Sequence, residues 1–90
     1  MAQLNFTQNG LAWISDEISV SSDFNLHIER EKAAQLNIMQ KTSGEKWGDI
    51  IEAERYANKT VIDVDIQVLI PKKIKVISYS KVTSAEYTTA

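Results

Sequence analysis

The chain has 90 residues, Lys+Arg 10 against Asp+Glu 12, and 43% hydrophobic side chains, enough for a single β-rich domain over residues 1–90 and too little for two cores. Cysteine is absent, which excludes disulfides, thiolate nucleophiles and Cys-ligated zinc or iron–sulfur sites. No apolar run approaches the ~18 residues of a membrane-spanning helix, and Met1 to Asn5 lack the basic and apolar regions of a secretory leader, so synthesis in the cytoplasm with no membrane partner is expected.

The 11 Ile and 6 Val outnumber the 5 Leu, and side chains branched at Cβ favour the pleated surface of a strand over a helix. Charge is unevenly placed. Residues 1–71 carry 11 acidic and 6 basic side chains, net −5, whereas residues 72–90 carry four lysines against Glu86, net +3. Such a gradient suits head-to-tail contacts between copies, or an anionic ligand.

In chain order, Asn9-Gly10 between two apolar stretches predicts a type I′ hairpin. That turn sets Phe6 opposite Trp13, with Leu4 and Leu11 on the same core face. Ile18 to Val20 alternates and breaks at Ser21 to Asp23. From Phe24 the alternation places Phe24, Leu26 and Ile28 inside and Asn25, His27 and Glu29 outside. Leu36 and Ile38 resume it, and a loop at Glu31 to Ala33 would pair Ile28 with Leu36.

Residues 45–57 are ambiguous. A helix would align Trp47, Ile50, Ile51 and Glu54, with Gly48 against it, and a strand would need a bulge at Ile50-Ile51. Thr60 to Ile70 reads as the strongest strand, with Ile62, Val64, Ile66, Val68 and Ile70 inside. Pro71 ends it. A three-residue loop at Pro71 to Lys73 would pair Ile70 with Ile74 and Asp63 with Lys81; alternatively, Pro71 marks a crossing between two sheets. The fold class is all-β, an antiparallel sandwich or small barrel of about seven strands, with an α+β fold as the alternative if 45–57 is helical.

Catalytic candidates are few. His27 is the one histidine, placed on a polar face beside Asn25, Glu29 and Asn37, and no hydrolase, phosphate-loop or metalloprotease motif occurs. Asp63 and Asp65 share a strand face and offer carboxylates to calcium or a sugar, yet no acidic ligand loop accompanies them. The expectation is a protein that is not an enzyme, with no catalytic residue, metal or cofactor. Lys72, Lys73, Lys75 and Lys81 form a basic strip, but an acidic domain with a single interleaved aromatic, Tyr79, is a poor polynucleotide binder.

Leu69, Ile77 and Tyr79 are apolar residues on faces that should be wet, with Ile14 and Met39 similarly placed, and a contiguous patch of this kind marks an interface. The alternative is a cover formed by the tail from Ser84 or by another strand. In its cysteine-free, Ile/Val/Thr-rich strand pattern the whole chain resembles small β-sandwich accessory proteins of phage particles, of the head-decoration or tail type.

That resemblance implies a structural protein of the virion. The interface expected from the residues is Leu69, Lys72, Lys73, Lys75, Ile77 and Tyr79, binding copies of the chain or a larger protein partner. Thr83 to Thr89 would add to a neighbour's sheet edge. The alternative is a carbohydrate-binding module with Trp47 as platform and Asn25, His27, Asn37, Asp63 or Asp65 as polar contacts.

Overall fold

The computed structural model describes residues 2–44, 46–50 and 57–89. The strands are β1 (Ala2–Gln3), β2 (Phe6–Asn9), β3 (Ala12–Ser15), β4 (Ile18–Val20), β5 (Phe24–Arg30), β6 (Leu36–Lys41), β7 (Gly48–Asp49), β8 (Val61–Ile66), β9 (Lys72–Ser78) and β10 (Val82–Thr89), and no helix occurs among the described residues. They form two antiparallel sheets, here called A and B. Sheet A has the order β1-β10-β5-β8 and sheet B the order β2-β3-β9-β6-β7, with β4 also paired to β9. The fold is an all-β sandwich.

Period-two patterning builds the core. Leu26 and Ile28 of β5, Ile62 and Val64 of β8 and Ala85 of β10 face Leu36 and Ile38 of β6, Ile74 and Val76 of β9, and Ile18 and Val20 of β4, all within one buried cluster. The buried and exposed positions of β8 alternate without a break. Alternation thus identified the dry face of each main strand, but not which strands are neighbours.

Four pairings differ from the sequence expectation. In the first hairpin Asn9 pairs with Ala12, so Gly10-Leu11 are the central turn residues; Phe6 lies opposite Ser15, and Trp13 opposite Gln8. Gly10 has φ +65 and no non-glycine residue has positive φ, the pattern of a type II′ rather than a type I′ turn. This two-residue shift preserves the parity of the strands, so Phe6 and Trp13 still share a face. It also places Leu11 at the tip, 85% exposed, instead of in the core.

Second, β5 and β6 do not form a hairpin. β5 lies between β10 and β8 in sheet A, while β6 pairs with β9 and β7 in sheet B, so residues 31–35 carry the chain across the sandwich. Third, the strand expected over Thr60 to Ile70 ends at Ile66, and Ile70 is exposed rather than inside. Pro71 lies in a crossing between sheets, the alternative reading, and Asp63 pairs with His27 instead of Lys81. Fourth, β10 lies in sheet A between β5 and the two-residue β1, so Thr83 to Thr89 do not cover the outer face of sheet B, and β1 pairs with Glu86 and Tyr87 on the other side of the strand. Of the ambiguous stretch 45–57, Gly48 and Asp49 pair with Gln40 and Met39 as a short strand, and residues 45 and 51–56 lie outside the described residues.

Buried polar groups complete the two sheets. The Ser15 hydroxyl accepts from Val76 N at 2.8 Å and donates to Asp16 O at 2.9 Å. It occupies the point where β9 changes partner from β3 to β4. Arg30 continues the inward parity of β5 and is 4% exposed. Its Nε donates to Lys59 O (3.0 Å), Nη1 to Ser78 Oγ (3.3 Å) and Gln35 O (3.4 Å), and Nη2 to Ala34 O (2.7 Å) and Ala57 O (3.4 Å). Burial lowers the guanidinium pKa from its ordinary value, but the group stays protonated.

Replacing Arg30 would leave several carbonyls without a donor in a dry site, where each unsatisfied group costs about 1–3 kcal/mol. Arg30→Met is therefore expected to lower unfolding free energy in urea by at least about 2 kcal/mol. Arg30→Lys should recover less than half of that loss, because an ammonium cannot reproduce the planar fork. Equal stability of all three proteins would contradict this role.

Candidate functional site

The pairing registers sort the outward side chains into two surfaces of opposite character. On sheet A, His27 lies between Glu86 of β10 and Asp63 of β8; Asn25 lies between Thr88 and Asp65, and Glu29 between Ser84 and Val61. This outer face presents the carboxylates of Glu29, Asp63, Asp65 and Glu86, with His27 as the one basic group these registers place among them.

The central groups are mutually hydrogen-bonded. Asn25 Nδ2 donates to Asp63 Oδ1 (2.6 Å) and Asp65 Oδ1 (2.9 Å). His27 Nδ1 lies 3.1 Å from Asp63 Oδ2, and Nε2 lies 2.9 Å from Glu29 Oε2. With a carboxylate at each ring nitrogen, the doubly protonated imidazolium satisfies both contacts. Glu29 first and Asp63 second raise the His27 pKa above its ordinary 6.5. The Asn25 amide, followed by His27, lowers Asp63 below its ordinary 3.8.

On sheet B, β9 presents Lys73, Lys75 and Ile77, and β6 presents their direct partners Lys41, Met39 and Asn37. Ile14 of β3 lies beside Ile77, and Ser19 of β4 beside Lys73. Trp47 precedes β7 and receives the Lys75 ammonium at 4.4 Å and the Lys41 ammonium at 5.1 Å from its ring centroid. Asp49, paired with Met39, is the acidic residue in this set and accepts from Asn37 Nδ2 at 3.4 Å. The face is basic and partly apolar.

These placements revise the sequence-derived sites. Lys73, Lys75 and Ile77 are brought together, whereas Lys72 has inward parity and donates to Gln40 Oε1 at 2.8 Å. Leu69, 81% exposed, precedes one end of β9, and Tyr79, 43% exposed, follows the other, so the seven-residue strand separates them. Asn25, His27, Asp63 and Asp65 form one cluster, but Asn37 and Trp47 belong to the opposite sheet. The expected glycan contacts are therefore split between two sides of the molecule.

Two concave sites were not foreseen. A groove of about 460 Å³ lies between the first hairpin and the β5–β6 and β9–β10 connections, lined by Leu11, Trp13, Glu31, Lys32, Tyr79 and Lys81 among others. Its walls are joined by Glu31 N to Lys81 O (2.9 Å) and by Ser80 Oγ to Lys32 O (2.6 Å). A second cleft of about 530 Å³ lies at the end of sheet B and is lined by three lysines and four hydroxyl side chains together with Val20, Gly44 and Pro71. Finding either required knowing which connections converge, which alternation does not reveal.

Among the described residues, no group of three His, Cys, Asp or Glu side chains is arranged to hold a metal ion, and no helix is long and apolar enough to cross a membrane.

The His27 cluster has a defined pH signature. The raised His27 pKa contributes stability that is fully present below about 6.5 and is lost as pH rises through the folded-state value. The lowered Asp63 pKa contributes stability that is present above 3.8 and is lost as pH falls through its folded-state value. Thermal unfolding between pH 5 and 8 should therefore show a decline in Tm with pH that is shallower in His27→Gln. Identical slopes would contradict the assigned contacts.

No protein-family model, curated protein or solved structure matches the chain.

Proposed function

We propose that this chain is a non-enzymatic structural protein that assembles through the outer faces of its two sheets, with copies of itself or as a component of a larger particle. Accessory proteins of phage virions, of the decoration or tail type, are the class it best fits. The observation that supports this reading is the opposition of the two faces. Glu29, Asp63, Asp65 and Glu86 lie on one side and Lys41, Lys73 and Lys75, with Ile14, Met39, Ile77 and Trp47, on the other.

Two complementary surfaces on opposite sides of one subunit favour heterologous contacts, in which one copy's basic face meets the next copy's acidic face. Ile77, Met39 and Ile14 supply apolar area at the centre, and the lysines supply orientation and rate of encounter.

A carbohydrate-binding module is the second reading, moved from Trp47 to the groove. Two ammonium groups occupy the surroundings of the Trp47 ring, whereas Trp13 and Tyr79 line a concave site with Glu31, Lys32 and Lys81. Aromatic faces stack on sugar rings and the polar groups bind hydroxyls. A tryptophan emission shift on oligosaccharide titration, lost in Trp13→Phe, would favour it.

For the assembly reading, light scattering at about 0.01 M salt should give a mass above the 10.1 kDa monomer. The mass should fall at about 0.15 M, as the screening length shortens from roughly 30 to 8 Å. Lys75→Glu and Ile77→Asp should each shift the population to monomer without lowering Tm by more than a few degrees. A strict monomer at both salt concentrations, unaffected by either substitution, would overturn self-assembly through these faces.

A further inference from the structure

The cleft at the end of sheet B has a ligand chemistry of its own. β9 begins there with Lys72 and Lys73, flanked by the end of β4 on one side and the end of β6 on the other. Its lining includes Ser19, Ser21, Lys41, Thr42, Lys72 and Lys73, around a volume of about 530 Å³, within the roughly 300–1,000 Å³ of small-molecule sites. We infer that this cleft binds a phosphate-class oxyanion, free or carried on a small organic molecule.

The charge arrangement supports this assignment. Lys41 and Lys73 are direct cross-strand partners on the outer face. Side chains in that relation have Cβ atoms about 4.5–5.5 Å apart, and like charges there destabilise the sheet. No carboxylate lines the cleft among the described residues, and the ion pairs among those residues all involve His27.

The contacts that hold two of the lysines are neutral. Lys72 Nζ donates to the Gln40 amide oxygen at 2.8 Å, and the Lys41 ammonium lies 5.1 Å from the Trp47 ring centroid. These contacts orient the ammonium groups without cancelling their charge. The serine and threonine hydroxyls add further donors. An oxyanion that only accepts, with three or four oxygens, matches a site rich in donors and positive charge. It would also relieve the Lys41–Lys73 repulsion.

The volume exceeds that of a bare phosphate, so the cleft can also hold an organic group attached to the anion. The cleft borders the assembly face at Lys41 and Lys73, but Ile77 lies at the far end of β9 and does not line it.

The test uses the full chain carrying Ile77→Asp, so that self-association does not enter the signal, in calorimetric titrations at constant ionic strength. Inorganic phosphate and glycerol 3-phosphate are the probes, with chloride as the reference. Saturable heat with either probe and none with chloride is expected. Lys41→Gln and Lys73→Gln should each weaken binding roughly tenfold, while Lys59→Gln, exposed and outside the cleft, should leave it unchanged. Tighter binding of glycerol 3-phosphate than of phosphate assigns the cleft to an organic phosphate, and equal binding assigns it to the free anion. No difference between phosphate and chloride, or equal affinity across the three lysine variants, would overturn the site.

Discussion

The buried guanidinium of Arg30 is the interaction on which the arrangement of the two sheets depends. Its donors reach Ala34 and Gln35 in the β5–β6 crossing, Ala57 and Lys59 before β8, and Ser78 at the end of β9. Ser78 in turn donates to Ser80 O, and the Ser80 hydroxyl donates to Lys32 O. An isolated charge in a dry interior would cost far more than any single hydrogen bond returns. The group is tolerated because its N–H groups end on oxygen acceptors, two of which, Gln35 O and Ser78 Oγ, also accept from Tyr79 N and Ser80 N. Connections that leave the sheets, and so lose ladder partners, draw part of their hydrogen bonding from this side chain and part from Tyr79 N, Glu31 N and Ser80 Oγ.

This network determines what the surfaces can do. The chain changes sheet at the β1–β2, β4–β5, β5–β6, β7–β8, β8–β9 and β9–β10 connections, so residues close in sequence are sent to opposite sides of the molecule. The acidic outward residues of β5 and β8 collect on sheet A, and the lysines of β6 and β9 on sheet B. A modest charge gradient along the chain thereby becomes a polarity across the sandwich. The apolar residues Ile14, Met39 and Ile77 accompany the basic side. That mixture of apolar area and charge is what the proposed assembly draws on.

The sequence made the faces legible but not the neighbours. Alternation identified Leu26, Ile28, Leu36, Ile38, Ile62, Val64, Ile74 and Val76 as buried, because a strand's period of two depends only on its own residues. Pairing depends on where a connection sends the next strand, and residues 31–35 can form a hairpin loop or a crossing with equal local chemistry. That one ambiguity misassigned the partners of β5 and β6, and with them the position of Asn37 relative to His27.

The cluster of Asn25, His27, Asp63 and Asp65 was legible as outward residues, but the His27–Asp63 contact was hidden by the mistaken Lys81 pairing. Arg30 left a readable signal. It occupies the parity of Phe24, Leu26 and Ile28, and a charge on a dry face demands a hydrogen-bonding reason. The first turn failed more subtly, since a type I′ turn centred on Asn9-Gly10 and a type II′ turn centred on Gly10-Leu11 both use the glycine, and the second is the one formed. The lysine cleft could not be read at all, because Ser19, Lys41 and Lys73 meet only once β4, β6 and β9 are known to be adjacent.

The account rests on the complementarity of the two outer faces, and exchange of charge between separate variants tests it most directly. One variant carries Lys73→Glu and Lys75→Glu, and the other Asp63→Lys, Asp65→Lys and Glu86→Lys, which leaves Glu29 as the one carboxylate of that set. Each then presents two faces of like sign and should remain monomeric by light scattering at low salt. Mixed in equal amounts they restore opposite faces in trans, and the mixture should recover a mass above monomer. A mixture that stays monomeric while the unmodified chain assembles, or single variants that assemble as the unmodified chain does, would contradict the account.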